Sequence, residues 1–225
     1  MSWAVILGDI VGSSKYPDKR NILLETLNDS FNSIYVHIDN IGNRNRIKFD
    51  IYRGDSFQGI IYRPENALKA AIFIRANFLS LPKLGLDCRI AMGIGDIDYT
   101  ESQSVGLLDG EAFYSAAKGL EELKLKNNNL SIEISDTSMS NFSKELKTEC
   151  ILVDAIIREW KDIEAEAVKL SLIYQTQKDV AHKIGITQGA VSQRLINAKF
   201  SAVESLLERY NEIARTNFRN IDFVD

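Results

Sequence analysis

Apolar residues recur along the chain in two periods, one that marks strands and one that marks helices. Trp3-Ala-Val-Ile-Leu7 is an unbroken apolar run ending at Gly8-Asp9, the pattern of a central strand buried on both faces. Pro17-Asp18 then opens a helix with Asp18 as its N-cap. Leu24, Leu27, Phe31, Ile34, Ile38 and Ile41 follow at three- and four-residue spacing, which is one apolar stripe. Ile47, Phe49 and Ile51 alternate with polar residues, and across Gly54-Asp55 a second run, Phe57 to Tyr62, completes a hairpin. Pro64 begins a helix carrying Ala67, Ala71, Ile74, Phe78 and Leu81. Asp87 to Ile94 reads as a strand, Asp109 to Lys126 as a helix and Leu130 to Ile134 as a short strand. Beyond about residue 137 the period changes, and from Cys150 onward only the helical one remains. Leu152, Ile156, Trp160, Ile163, Ala167 and Leu170 read as one long stripe. Two shorter helices and a final one, through Val203, Leu206, Leu207, Tyr210 and Ile213, complete the chain.

The order is β-α-β-β-α-β-α-β, with a hairpin in the middle. That is the split βαβ of a ferredoxin-like α+β unit (βαββαβ) extended by one more helix and strand, followed by an all-α part. The expected division is residues 1–145 and 146–225, with the change of period between Ser135 and Cys150.

Composition narrows the function. The 225 residues are 45% hydrophobic and 26% charged, which suits a soluble globular protein and excludes a disordered or collagen-like one. The net charge of -4 excludes a surface that is basic all over, so any contact with nucleic acid must be local. Cys88 and Cys150 form no Cys-x-x-Cys, and the N-terminal apolar run is too short for a signal peptide or a membrane span. These features point to a reduced, cytoplasmic setting with no membrane contact. His37 and His182 stand far apart without spaced partners, which argues against histidine-based metal or triad chemistry.

Topology brings two acids together. Asp9 leaves the end of the first strand and Asp55 sits at the hairpin corner. In a split βαβ sheet the second hairpin strand pairs antiparallel to the first, so its start lies beside the first strand's end. Either acid alone is an ordinary strand-end or turn residue. Together, beside the Gly12-Ser13-Ser14 loop, they form a candidate site for Mg²⁺ or Mn²⁺ and a phosphate. Such an ion takes carboxylate oxygens, and a glycine-containing loop lets backbone N–H groups approach a phosphate.

Here the chain resembles a known family. Val5-Ile-Leu-Gly-Asp-Ile-Val-Gly-Ser13-Ser is similar to the first metal motif of class III nucleotide cyclases, and Gly54-Asp55-Ser-Phe57 to their second. Arg89-Ile-Ala-Met-Gly-Ile-Gly95 resembles their following strand, and Gly110 through Ala116-Ala117-Lys118 the helix that carries their transition-state residues. Joined to the helical half, the whole resembles the SatD family: a cyclase-like domain followed by a helix-turn-helix. The resemblance implies Asp9 and Asp55 as metal carboxylates with the Ile10 carbonyl as a third ligand. It also implies a homodimer, because cyclase-like sites are built between protomers. The chain departs from the cyclase pattern at three places. Tyr114 and Lys118 stand where cyclases present an Asn and an Arg, and Ile51 stands where they select the base with a Lys. Lys118 supplies charge but not a bidentate fork.

The second constellation runs from Thr176 to Ala198. Thr176-Gln-Lys-Asp179 starts a helix in the manner of a capping box, Gly185 ends it, and Thr187 caps the next. Val180, Ala181 and Ile184 give the first helix a buried face, Val191, Leu195 and Ala198 hold the second down, and Ala181, Gly185 and Val191 fall at the spacing of two crossed helices, a pattern that resembles a helix-turn-helix. Gly189, Ser192, Gln193 and Asn197 point away from Val191, with Gln188 and Arg194 at the edges. Amides and a guanidinium are groups that read base edges. Residues 176–200 carry Lys178, Lys183, Arg194 and Lys199 against Asp179, a local charge of +3. The lysines, Lys178 among them, position the protein on phosphates.

The resulting expectation is a DNA-binding regulator, working as a two-fold dimer, whose cyclase-like domain takes a metal-nucleotide or related phosphate ligand. The rival is an enzyme that processes a nucleoside triphosphate, with Lys118 steadying developing charge. A scaffold that binds neither ligand is the third possibility.

Overall fold

The computed structural model describes residues 2–40, 49–52, 55–98 and 108–218. Ile41, Ile47 and the hairpin glycine Gly54 lie outside them. Strands β1 (Trp3–Val11), β2 (Phe49–Tyr52), β3 (Ser56–Ile61), β4 (Asp87–Gly95) and β5 (Leu130–Ile134) form one sheet in the order β2-β3-β1-β4-β5. β1 is antiparallel to both β3 and β4, and β5 is parallel to β4. The hairpin therefore returns its second strand against β1, as its position between two helices requires. β1 continues past Leu7, where the apolar run stops, to Val11. Ladders on both sides hold it extended, with Asp9 opposite Ser56 on one side and Arg89 on the other.

Helix α1 (Arg20–Ser33) begins later than Pro17-Asp18 implies. Those two residues lie in a 3₁₀ turn, Pro17–Lys19, and Lys19 precedes the helix without a side-chain cap, so Asp18 does not cap it. Leu27 and Phe31 of the expected stripe are buried, but Leu23 takes the buried place and Leu24 is only half-buried; the chain continues as a π-helical turn, Ile34–Ile38. Phe31 lies over Gly59 of β3 and stacks on Phe49 of β2, with centroids 4.6 Å apart. Helix α2 (Ala67–Leu79) lies beside α1, joined by Asn77 Nδ2 donating to Ser30 Oγ at 2.9 Å.

Helix α3 (Glu111–Lys126) covers the opposite face of the sheet. Gly93 makes this possible, because a Cβ there would collide with the Ala112 carbonyl and the Ala116 backbone nitrogen. The glycines of β4 serve helix–sheet contact.

The rest is helical: α4 (Ser140–Ile157), α5 (Asp162–Ser171), α6 (Gln177–Ile184), α7 (Gln188–Asn197) and α8 (Phe200–Asn217). The apparent stripe from Leu152 to Leu170 is two helices. The chain turns at Arg158–Lys161, and α5 restarts with Lys161 N donating to Glu164 Oε2 at 2.9 Å. Leu152 and Ile163 are consequently 63% and 46% exposed, while Trp160, in the turn, is buried. α4 runs without interruption through residues 145 and 146.

The helices join the sheet through shared burial. α4 packs on β5, and α5 packs on α2, which is why α2 is buried almost all round. Arg75 of α2 is wholly buried and binds Asp87 of β4 through two bonds, 2.9 and 2.6 Å. Its Nη1 also lies 2.8 Å from Asp154 Oδ1 of α4, an ion pair without hydrogen-bond alignment. Asp154 Oδ2 accepts from the Asn129 backbone and from Arg158. Coulombic attraction from Asp87 and Asp154 holds the Arg75 guanidinium charged against its burial. Trp160 Nε1 donates to the Ala198 carbonyl at 2.8 Å, and the Tyr210 hydroxyl to the Pro64 carbonyl at 2.7 Å.

Candidate functional site

Asp9 projects from β1 level with Arg89 of β4. Its Oδ1 is 3.0 Å from Arg89 Nη1 and its Oδ2 is 3.0 Å from Lys124 Nζ of α3. Asp55 sits one step further along the ladder, where its carbonyl accepts from Ile10 N at 2.9 Å. Its carboxylate accepts from Ser13 Oγ at 3.0 Å and from Ser56 Oγ at 3.4 Å. The sheet thus brings Asp9, Ile10, Asp55 and the Gly12–Ser14 loop to one end of β1. Within that group each carboxylate has its own partners. Asp9 faces cations, and Asp55 faces hydroxyls.

Arg89 and Lys124 are the residues that sequence reasoning did not assign to Asp9. Antiparallel register of β1 and β4 is the signal that finds Arg89. Lys124 lies one position after the buried Leu123 of α3, at the edge of the helix face that meets the sheet. Lys118, expected to steady charge on a reacting phosphate, is exposed on α3, and Lys124, further along the same helix, pairs with Asp9. Tyr114 is 66% exposed and its hydroxyl donates to Asp109 Oδ2 at 3.0 Å, an interaction that raises its pKa.

Among the described residues no cluster of three or more His, Cys, Asp or Glu is placed to hold a metal ion. The donor chemistry at Asp9 and Asp55 nevertheless suits Mg²⁺ or Mn²⁺, which prefer oxygen ligands and complete their shell with water and phosphate. Charge sets the condition. Asp9 is already compensated by Arg89 and Lys124, so a bound cation would compete with them for the carboxylate. Lys124, 52% exposed, can leave at little cost, whereas Arg89, 15% exposed, also donates from Nε to the Asn128 carbonyl.

The second group is the pair α6–α7. Thr176 Oγ1 accepts from Asp179 N at 3.2 Å and Thr187 Oγ1 from Ala190 N at 3.2 Å, so both helices start on side-chain caps. Between them Gly185 takes φ 79°, a left-handed turn that glycine adopts without strain. Val180, Ala181, Val191 and Leu195 are buried between the helices and their neighbours.

Gln188, Gly189, Gln193 and Asn197 are exposed on α7, and Ser192 is half-buried. Gln188 Nε2 donates to Gln177 Oε1 at 2.8 Å, and Gln193 Nε2 to Asn197 Oδ1 at 3.0 Å. Lys178 is exposed on α6. Arg194 is placed differently. Its Nη1 is 2.9 Å from Glu166 Oε2 and 3.4 Å from the Ile163 carbonyl, and only 20% of its side chain is exposed. Arg194 fastens α7 to α5. Ile196, by contrast, is 65% exposed.

No helix among the described residues is long and apolar enough to cross a membrane. Comparison with known proteins gives three results. None of the curated proteins matches the chain. Among solved structures, a bacterial light-regulated adenylyl cyclase resembles it at 14% identity and a TM-score of 0.43, over 58% of this chain and 74% of that one. The model of the SatD family matches residues 3–214, nearly the whole length. The chain therefore belongs to the SatD family.

Proposed function

We propose that this protein is a DNA-binding regulator, cytoplasmic and homodimeric, built from a ferredoxin-like, cyclase-like part (residues 1–145) and a helix-turn-helix part (146–225). The observation that carries the reading is the α6–Gly185–α7 arrangement. Two capped helices cross over a small buried seam, and the second turns a face of amides to solvent. A helix so presented fits the major groove, and two of them related by a two-fold axis would read half-sites about 34 Å apart. With Arg194 paired to Glu166, Lys178, Lys183 and Lys199 against Asp179 leave a local charge of +2 in an acidic chain, which supports a contact confined to this surface.

Retardation of duplex DNA by the full-length protein at low salt tests this. Asn197→Ala weakens specific binding by roughly 1–3 kcal/mol if the amide touches a base, and Lys178→Gln lowers the salt slope by about one. Binding that is unchanged in both variants, or absent in the wild type, overturns the assignment.

A second reading concerns the sheet. The Ser13–Asp55 bond ties the Gly12–Ser14 loop to the hairpin corner beside Asp9, and this favours a metal-nucleotide or related phosphate ligand. Asp9, Asp55 and the Ile10 carbonyl would hold Mg²⁺ or Mn²⁺, and Gly12, Ser13 and Ser14 the phosphate. The ion would supply charge neutralisation to the phosphate oxygens. Calorimetry with Mn²⁺ and ATP should give heat in the wild type that Asp9→Ala and Asp55→Ala abolish. Product formed from a triphosphate, and lost in the same variants and in Lys118→Ala, would make the protein an enzyme instead.

A further inference from the structure

The exposed chemistry of α7 is one-sided. Its polar groups facing solvent are the amides of Gln188, Gln193 and Asn197, with the Ser192 hydroxyl half-buried beside them. The helix contains one cationic residue, Arg194, and Glu166 of α5 holds that guanidinium against the Ile163 carbonyl. Gly189, Gln193 and Ile196 lie on one stripe of the helix, at four- and three-residue spacing. Ile196 is an apolar side chain 65% exposed in the middle of that polar surface, which packing among the described residues does not account for.

Base pairs distinguish these groups. Adenine offers an acceptor and a donor side by side at N7 and N6, which one amide can meet together. Guanine offers two acceptors, at N7 and O6, and calls for a guanidinium or an ammonium. Thymine adds a methyl group that an apolar side chain can cover. We propose that α7 reads A·T pairs in the major groove. Gln188, Gln193 and Asn197 address adenine, Ile196 covers a thymine methyl, and Glu166 sets the preference by keeping Arg194 from guanine. This rests on the DNA-binding reading above and names the sequence class that surface takes. Gln177 is a positioning residue, since its carbonyl oxygen fixes one N–H of Gln188 and leaves the other amide atoms to a base. The Gln193–Asn197 bond holds two amides on adjacent turns, so that either can exchange its partner for adenine.

The test is selection of bound duplexes from a random library by the full-length protein, wild type and Glu166→Gln, followed by affinity measurement on the selected site. The wild type should retain half-sites with adenine at the contacted positions and no invariant guanine. Glu166→Gln should release Arg194 and add a guanine preference at one position. In the selected site, replacing the contacted thymine by deoxyuridine should weaken wild-type binding about fourfold, the worth of one buried methyl. It should leave Ile196→Ala unaffected. A wild-type motif with an invariant guanine that Arg194→Ala abolishes overturns the proposal. So does a motif that Glu166→Gln leaves unchanged, or deoxyuridine binding equal to thymine. If no duplex is retained, the DNA-binding reading itself fails, and this inference with it.

Discussion

Two carboxylate clusters in this molecule use the same chemistry at different depths. Around Arg75 one wholly buried guanidinium joins Asp87 of β4 and Asp154 of α4. Around Asp9 one carboxylate receives Arg89 and the half-exposed Lys124. In the first cluster Arg75 and Asp154 are closed to water, so solvent cannot stand in for the guanidinium if it is lost. In the second, solvent can stand in for Lys124, so the arrangement can change without unfolding. Depth separates the ionic group that fixes the architecture from the one that is free to rearrange.

The strongest test of that contrast is Arg75→Ala. It removes the wholly buried cation shared by the half-buried Asp87 and the buried Asp154, which keeps only Arg158, and should lower stability by about 3–5 kcal/mol in urea unfolding. A loss below about 1 kcal/mol would erase the distinction. Asp39 supplies an intermediate case. It is buried, no lysine or arginine side chain among the described residues is bonded to its carboxylate, and it accepts from Tyr62 N at 2.7 Å, Arg63 N at 3.0 Å and Asn66 Nδ2 at 3.2 Å. Burial outweighs these donors and raises its pKa to about 6 from 3.8. The protonated form is therefore favoured by folding. The stabilisation linked to it is complete below about pH 3.8 and is lost as pH rises through about 6. The stability difference between the wild type and Asp39→Asn should accordingly shift by about 2–3 kcal/mol between pH 4 and pH 7. A pH-independent difference would show that Asp39 does not titrate in that window. Lys124→Ala should have the smallest effect, at most about 1 kcal/mol, since the side chain is half exposed. A cost equal to that of Arg75→Ala would place the Asp9 cluster among the structural ones.

Much of the fold is legible from residue order. The switch from period two to period three-four at the hairpin, the Gly185 stop and the two threonine caps each follow from local chemistry, and local chemistry survives in the folded chain. What was missed depends on partners distant in sequence. Asp9 lies inside β1 because two neighbouring strands keep the backbone extended past Leu7. The break at Arg158–Lys161 is not marked by proline or glycine. It follows from Trp160 turning inward to the Ala198 carbonyl, thirty-eight residues away. The candidate sites divide in the same way. The amide face of α7 was readable because helical spacing defines it, whereas the sequestration of Arg194 depends on Glu166, a neighbour only in space. Likewise, strand register could have supplied Arg89 as the partner of Asp9, but nothing local indicates Lys124.

The unbroken course of α4 has a practical consequence. Cutting at residue 145 would split a helix and divide Asp154 from the guanidinium it accompanies. Neither fragment, expressed alone, should behave as a well-folded module, and calorimetric melting of the intact polypeptide should show one cooperative endotherm in place of two.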